Sequence, residues 1–163
     1  MRPGIRPGWG TGLAMPDGMM LGGGTPAGEL RRQCAAVPLL GAAGDLRVVL
    51  VTSRETRRWV VPKGWVEPGE APHVSAAREA FEEAGLEGEA EADPLGTYAY
   101  DKRKANGVLM PCEVLVFRYR VNRLLSEWPE RHQRERRLFR PEAAAALVLE
   151  PDLARLLRSL AAG

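Results

Sequence analysis

Apolar residues along this chain cluster in short runs, and the period of those runs changes from strand-like to helical and back. Arg31–Leu40 passes through Cys34-Ala35-Ala36-Val37 and reads as an extended segment. Residues 46–53 (L-R-V-V-L-V-T-S) are rich in β-branched residues and predict a strand. Residues 59–62 form a second, shorter one that ends at Pro62. Residues 95–100 and 112–121 predict two more strands, with a polar turn over residues 102–107 between them.

Around residue 72 the period becomes helical. Val74, Ala77, Phe81 and Ala84 fall on one face and predict a buried stripe. Pro72 suits the first turn, where a missing N–H costs little, and Gly85 suits a left-handed C-terminal stop. Residues 141–149 and Pro151–Ala161 predict two further helices, each with an early proline. Strands mixed with three helices imply an α/β protein, a mixed sheet covered by helices.

At 163 residues the chain has the size of one domain. Residues 1–27 are Gly/Pro-rich without periodicity and read as a flexible arm, leaving residues 28–163 for the folded domain. No apolar run approaches the roughly 20 residues that span a bilayer, and Met1-Arg2-Pro3-Gly4 lacks the apolar core of a secretory signal. Cys34 and Cys112 show no metal-ligand spacing and read as buried free thiols, which places the protein in a reducing cytoplasm. Oligomeric state is not written in the sequence.

The charge pattern carries the chemistry. Glu79, Glu82 and Glu83 stand at i, i+3 and i+4, offsets that share one helix face away from the expected core stripe. Like charges that close repel, so a divalent cation with a preference for oxygen ligands is expected beside them. A Gly/Pro-rich loop leads directly into this helix. Arg78 has two carboxylates in reach, Glu82 at i+4 and Glu70 in the loop.

Together these residues match G-x5-E-x7-R-E-U-x-E-E-x-G-U, where U is a bulky aliphatic residue. Gly64, Glu70, Arg78, Glu79, Glu82, Glu83, Gly85 and Leu86 fall in register, and Ala80 is smaller than the usual residue at the first U. The sequence therefore resembles the Nudix hydrolases. Segments 32–38, 50–54, 58–64, 96–98 and 128–130 extend the resemblance to the diphosphoinositol polyphosphate phosphohydrolase branch and its bacterial members. Leu138-Phe139 departs from the Trp-Phe usual in that branch, which bears on the pocket wall and on substrate choice.

The resemblance implies a Nudix α/β/α sandwich with a mixed β-sheet. It implies metal-dependent hydrolysis of a phosphoanhydride in a small polyphosphorylated molecule, of the diphosphoinositol polyphosphate or dinucleoside polyphosphate type. Mg²⁺ or Mn²⁺ is then held by Glu79, Glu82, Glu83 and the Gly64 carbonyl. Glu79 or Glu83 serves as general base, with Glu83 preferred, and Glu70 orients Arg78 and the metal's surroundings. The same likeness assigns substrate contacts to Arg32, Ser53, Lys63, Gly64, Trp65, Arg103 and Arg134. His73 and His132 read as surface residues, and Trp59 as core.

Two other classes compete. Of the 23 basic residues only Lys63, Lys102 and Lys104 are lysine, and five arginines crowd residues 131–140. Such a segment fits an RNA 5′-end pyrophosphohydrolase, although no aromatic residues alternate with the arginines as base-stacking platforms. A non-catalytic Nudix binding module is the other reading; such modules often lack the carboxylates, and here all are present. A small phosphorylated substrate is the preferred partner, with nucleic acid second and no membrane.

Overall fold

The computed structural model describes residues 31–162; the arm expected over residues 1–27 lies outside them. Ten elements follow one another: β1 (Arg31–Leu40), β2 (Arg47–Thr52), β3 (Trp59–Val60), β4 (Lys63–Trp65), α1 (Pro72–Ala84), β5 (Leu86–Arg103), β6 (Leu109–Leu124), β7 (Arg136–Phe139), α2 (Pro141–Leu147) and α3 (Pro151–Ala161). The seven strands form one mixed sheet. β1 runs parallel to β6 over nine residue pairs, while β5–β6, β1–β2, β1–β4, β2–β3 and β2–β7 are antiparallel.

Both faces of the sheet are covered, and strand alternation feeds both. Cys34 and Ala36 of β1 pack with Val49, Val51, Phe117 and Tyr119 against Ala76, Ala80 and Ala84 of α1. Ala35 and Val37 point the other way. They join Val48, Leu50, Val114 and Val116 against Ala144, Leu153 and Leu157 of α2 and α3. The result is the three-layer sandwich expected from the sequence.

The expected face of α1 was rotated. Val74 and Phe81 stand 43% and 41% exposed, and the buried positions are Ser75, Ala76, Ala80, Glu83 and Ala84. Alanines win this face because small side chains let the helix axis approach the sheet closely. The small residue at position 80 is part of that contact. Both helix ends match expectation: Pro72 opens the first turn and Gly85 closes the last at φ 65°, ψ 45°.

β5 is far longer than the six residues expected. Its first half, Leu86 to Asp93, is rich in glutamate and has no strand-like composition. It is held by pairing across to β6, where Glu87 meets Arg123, Glu89 meets Arg120 and Glu91 meets Arg118. α2 ends at Leu147, two residues short of the expected boundary.

Candidate active site

β4 and α1 build the site together. β4 lies beside β1 in the register Gln33↔Trp65, Cys34↔Gly64, Ala35↔Lys63. This pairing aims Gly64 at α1, and the missing side chain is essential there. A Cβ on Gly64 would overlap the Glu79 carboxylate. The Cys34 thiol lies 3.7 Å from the Gly64 carbonyl oxygen on the same face, and burial pushes that thiol up to about 12.

Glu79 sits in this narrow space beside Gly64. Burial raises its carboxyl to about 8, and the charges of Glu83 and Glu82 add to the effect. The Arg78 guanidinium lies 3.3 Å from Glu79 Oε2 and opposes that rise. Arg78 also donates to Glu70 Oε1, which settles its expected choice of partner in favour of Glu70. Ser75 donates to the same Glu70 oxygen, and the Ser75 and Arg78 bonds together hold the Glu70 carboxyl below its ordinary value. Ser75 Oγ also accepts the Glu67 N–H at 3.2 Å. The loop is thereby fastened to the helix it precedes. An open depression runs between them, lined by Glu67, Pro68, Gly69, Glu70, Arg78, Glu79 and Glu82.

Glu83 corrects the expectation that all three carboxylates face away from the core: it is only 8% exposed. Burial raises its carboxyl, opposed by the charges of Arg134 and Lys63. One oxygen accepts the Lys63 N–H at 3.3 Å, and the other lies 3.3 Å from Arg134 Nη2. Among the described residues no three His, Cys, Asp or Glu side chains form a ready-made metal group. Glu79 and Glu83 carry arginine countercharges instead.

The remaining site candidates scatter. Arg134, expected as a phosphate contact, is almost wholly buried; it bonds Glu130 at 2.7 Å and the Thr52 carbonyl at 3.1 Å as well as pairing with Glu83. Lys63 turns with Ala35 toward the opposite face of the sheet, and its ammonium sits 5.0 Å from the centre of the Tyr100 ring. Burial lowers its pKa. Arg32 pairs with Glu113 across β1 and β6. Ser53 bonds Thr56 and accepts the Arg58 N–H within its own turn. Trp65 is 39% exposed, and Arg103 is exposed in the β5–β6 hairpin, donating to the Gly107 carbonyl. Trp59 is partly buried against Phe139 at 5.1 Å. His132 is exposed, and His73 lies half-buried near Phe117.

Sequence reasoning passed over Ser75, though its spacing is readable. It precedes Arg78 and Glu79 by three and four residues and so shares their helix face. It also gave no role to Trp128 or Arg136, which grip the end of α1. The arginine-rich segment is largely committed to this work. Arg131 donates to the Ser126 carbonyl, Arg134 holds Glu83 and Glu130, and Arg136 donates to the Ala84 carbonyl at 2.9 Å.

The NUDIX domain profile matches residues 29–160, and the chain belongs to the Nudix family. It is similar to Nudix hydrolase 12, mitochondrial, of Arabidopsis thaliana, 35% identical over 105 residues that cover 63% of this chain and 52% of that protein. It is also similar to diphosphoinositol polyphosphate phosphohydrolase 3-alpha of Mus musculus, 28% identical over 120 residues that cover 72% and 69%. The chain spans about half the length of Nudix hydrolases 12 and 13 of Arabidopsis thaliana. Among solved structures, the Ap4A hydrolase of C. elegans shares the fold with a TM-score of 0.58 at 20% identity, covering 82% of this chain and 98% of that one. No helix among the described residues is long and apolar enough to cross a membrane.

Proposed function

We propose that this protein hydrolyses a phosphoanhydride bond in a polyphosphorylated small molecule, with a divalent cation at the Gly64–α1 junction. The observation that supports it is the packing of the Glu79 carboxylate into the space left by Gly64, beside Glu83 and Glu82. The donor set fits a hard cation, since all of it is oxygen and the charges of Glu83 and Glu82 raise the proton affinity of Glu79. Glu79, Glu82, Glu83 and the Gly64 carbonyl would hold Mg²⁺ or Mn²⁺. Bound there, the cation supplies neutralisation of the phosphates and acidification of a water.

The chain's own residues do the rest. Glu83 is the general base, its carboxylate fixed from two sides by the Lys63 N–H and Arg134. Glu70 anchors Arg78, and Arg78 aligns Glu79. Substrates of the diphosphoinositol polyphosphate or dinucleoside polyphosphate class are favoured by the names of the relatives. A cytoplasmic setting is favoured by two buried cysteines that remain free thiols.

An RNA 5′-end substrate is the weaker alternative, because Arg131, Arg134 and Arg136 already have partners within the protein. A pure binding module has no need of all four carboxylates Glu70, Glu79, Glu82 and Glu83. The deciding experiment is a turnover screen with Mg²⁺ and Mn²⁺ on diphosphoinositol polyphosphates, dinucleoside polyphosphates, nucleoside diphosphate sugars, inorganic polyphosphate and triphosphorylated RNA. Glu82→Gln and Glu83→Gln are run alongside. Cation-dependent cleavage of a small polyphosphate, reduced by orders of magnitude in both variants while each remains folded at the assay temperature, supports the hydrolase. Near-wild-type rates in either variant would sink the metal-site assignment.

A further inference from the structure

An α-helix leaves its last four carbonyls without partners inside the helix. In α1 the carbonyls of residues 82–85 are all satisfied by residues 125–136. The Glu130 N–H donates to the Glu82 carbonyl at 3.0 Å. The indole N–H of Trp128 donates to the Glu83 carbonyl at 3.0 Å. Arg136 donates to the Ala84 carbonyl at 2.9 Å and to that of Gly85 at 3.3 Å, where the Leu125 N–H also arrives at 2.8 Å.

Trp128 is the centre of this clamp. Its ring fills the place a Cβ on Gly85 would take. The guanidinium of Arg136 stacks 4.2 Å from the ring centre, and that of Arg131 lies at 5.5 Å. A glycine is needed at position 85 for two reasons: the positive φ, and the indole lying against it.

The same segment reaches Glu83 a second time, through Arg134 at its carboxylate. Residues 125–136 thus hold Glu83 by its backbone carbonyl and by its side chain. They are themselves fastened to β2, because Thr52 N–H donates to the Glu135 carbonyl and Glu135 N–H donates to Thr52 Oγ1.

We infer that Trp128 is a positioning residue for the reaction: its indole N–H and ring fix the last turn of α1, and with it the placement of Glu82 and Glu83 toward the divalent cation. The inference rests on the hydrolase reading above. It separates two properties of one side chain, because a phenylalanine keeps an aromatic ring over Gly85 and loses the bond to Glu83.

The test uses the full chain, wild type, Trp128→Phe and Leu160→Ala, the last a core truncation in α3 on the opposite side of the sheet. Three quantities are read: turnover on the best substrate of the screen, Mn²⁺ affinity of the substrate-free protein by electron paramagnetic resonance, and Tm. Trp128→Phe is expected to lower kcat and Mn²⁺ affinity by about tenfold each, the scale of lost support behind a metal ligand. Its KM stays within about twofold of wild type, since substrate binding is not the property removed. Leu160→Ala, with an equal or larger loss of Tm, keeps both values. An active wild type with Trp128→Phe unchanged overturns this inference alone, as does Leu160→Ala losing kcat and Mn²⁺ affinity to the same extent. A wild type that neither turns over any substrate nor binds Mn²⁺ overturns the hydrolase reading, and this inference with it.

Discussion

Gly64 and Glu79 meet across the junction of strand β4 and helix α1, with the carboxylate occupying the space a side chain at position 64 would need. Gly64→Ala forces one of the two to move. The backbone there does not require a positive φ, so the strand persists and the displaced group is the carboxylate. The expected outcome is a fall in kcat of about 100-fold, the scale of an ångström-sized misplacement, with Tm shifted little. Steady-state kinetics and a thermal melt check it.

Metal-free protein is expected to lose stability as pH rises. The Glu79 carboxyl is raised from 4.5 to about 8 in the fold, and burial raises Glu83 in the same direction. Between those values the folded chain binds more protons than the unfolded chain, so stability falls with pH. It is greatest below about pH 4.5 for this contribution, by the same linkage, and is gone once pH passes about 8. Melts in chelator from pH 5 to 8.5 test this, and Glu79→Gln is expected to flatten the slope. An unchanged slope in that variant would contradict the assignment to Glu79.

Ser75→Ala removes the acceptor of the Glu67 N–H and a donor to Glu70. Losing the first alone costs about 1 kcal/mol of stability. Loosening the loop that carries Glu70, the partner of Arg78, is expected to lower kcat/KM by about tenfold, in line with loss of support behind a site. Denaturant melts and kinetics on the same preparation separate the two effects.

Arg134→Ala leaves Glu83 and Glu130 without their shared countercharge in a nearly buried position. A destabilisation of about 3 kcal/mol is expected, the scale of breaking a buried ion pair from one side. A residue whose task was to greet substrate phosphate at the surface would instead raise KM and leave the urea midpoint alone.

Much of this was legible in the chain. Pro72 and Gly85 marked the ends of α1 because each carries a backbone constraint that acts locally. The spacing of Arg78, Glu79, Glu82 and Glu83 placed these side chains on one helix, because helix geometry converts sequence offset into direction, and Glu70 joins them through Arg78. The face of α1 was misread because apolar character was equated with burial. Val74 and Phe81 are large and stand outward, while Ser75 and Glu83 are polar and turn inward with hydrogen-bond partners. The first half of β5 was invisible because its support comes from Arg118, Arg120 and Arg123, roughly 30 residues downstream. β7 was hidden in the same way: Arg136–Phe139 looks like a solvated basic segment until β2 lies beside it and Phe139 meets Trp59. Arg134 was expected to contact substrate, and only the folded loop shows its pairing with Glu83 and Glu130.

Arg78 and Arg134 give Glu79 and Glu83 each a positive partner inside the fold. A newly made chain can therefore collapse around Glu79 and Glu83 without waiting for a cation to arrive. On the proposed function, loading would be a trade of one positive partner for another, separate in time from folding, so that occupancy of the centre would follow the supply of cation while the fold stays intact.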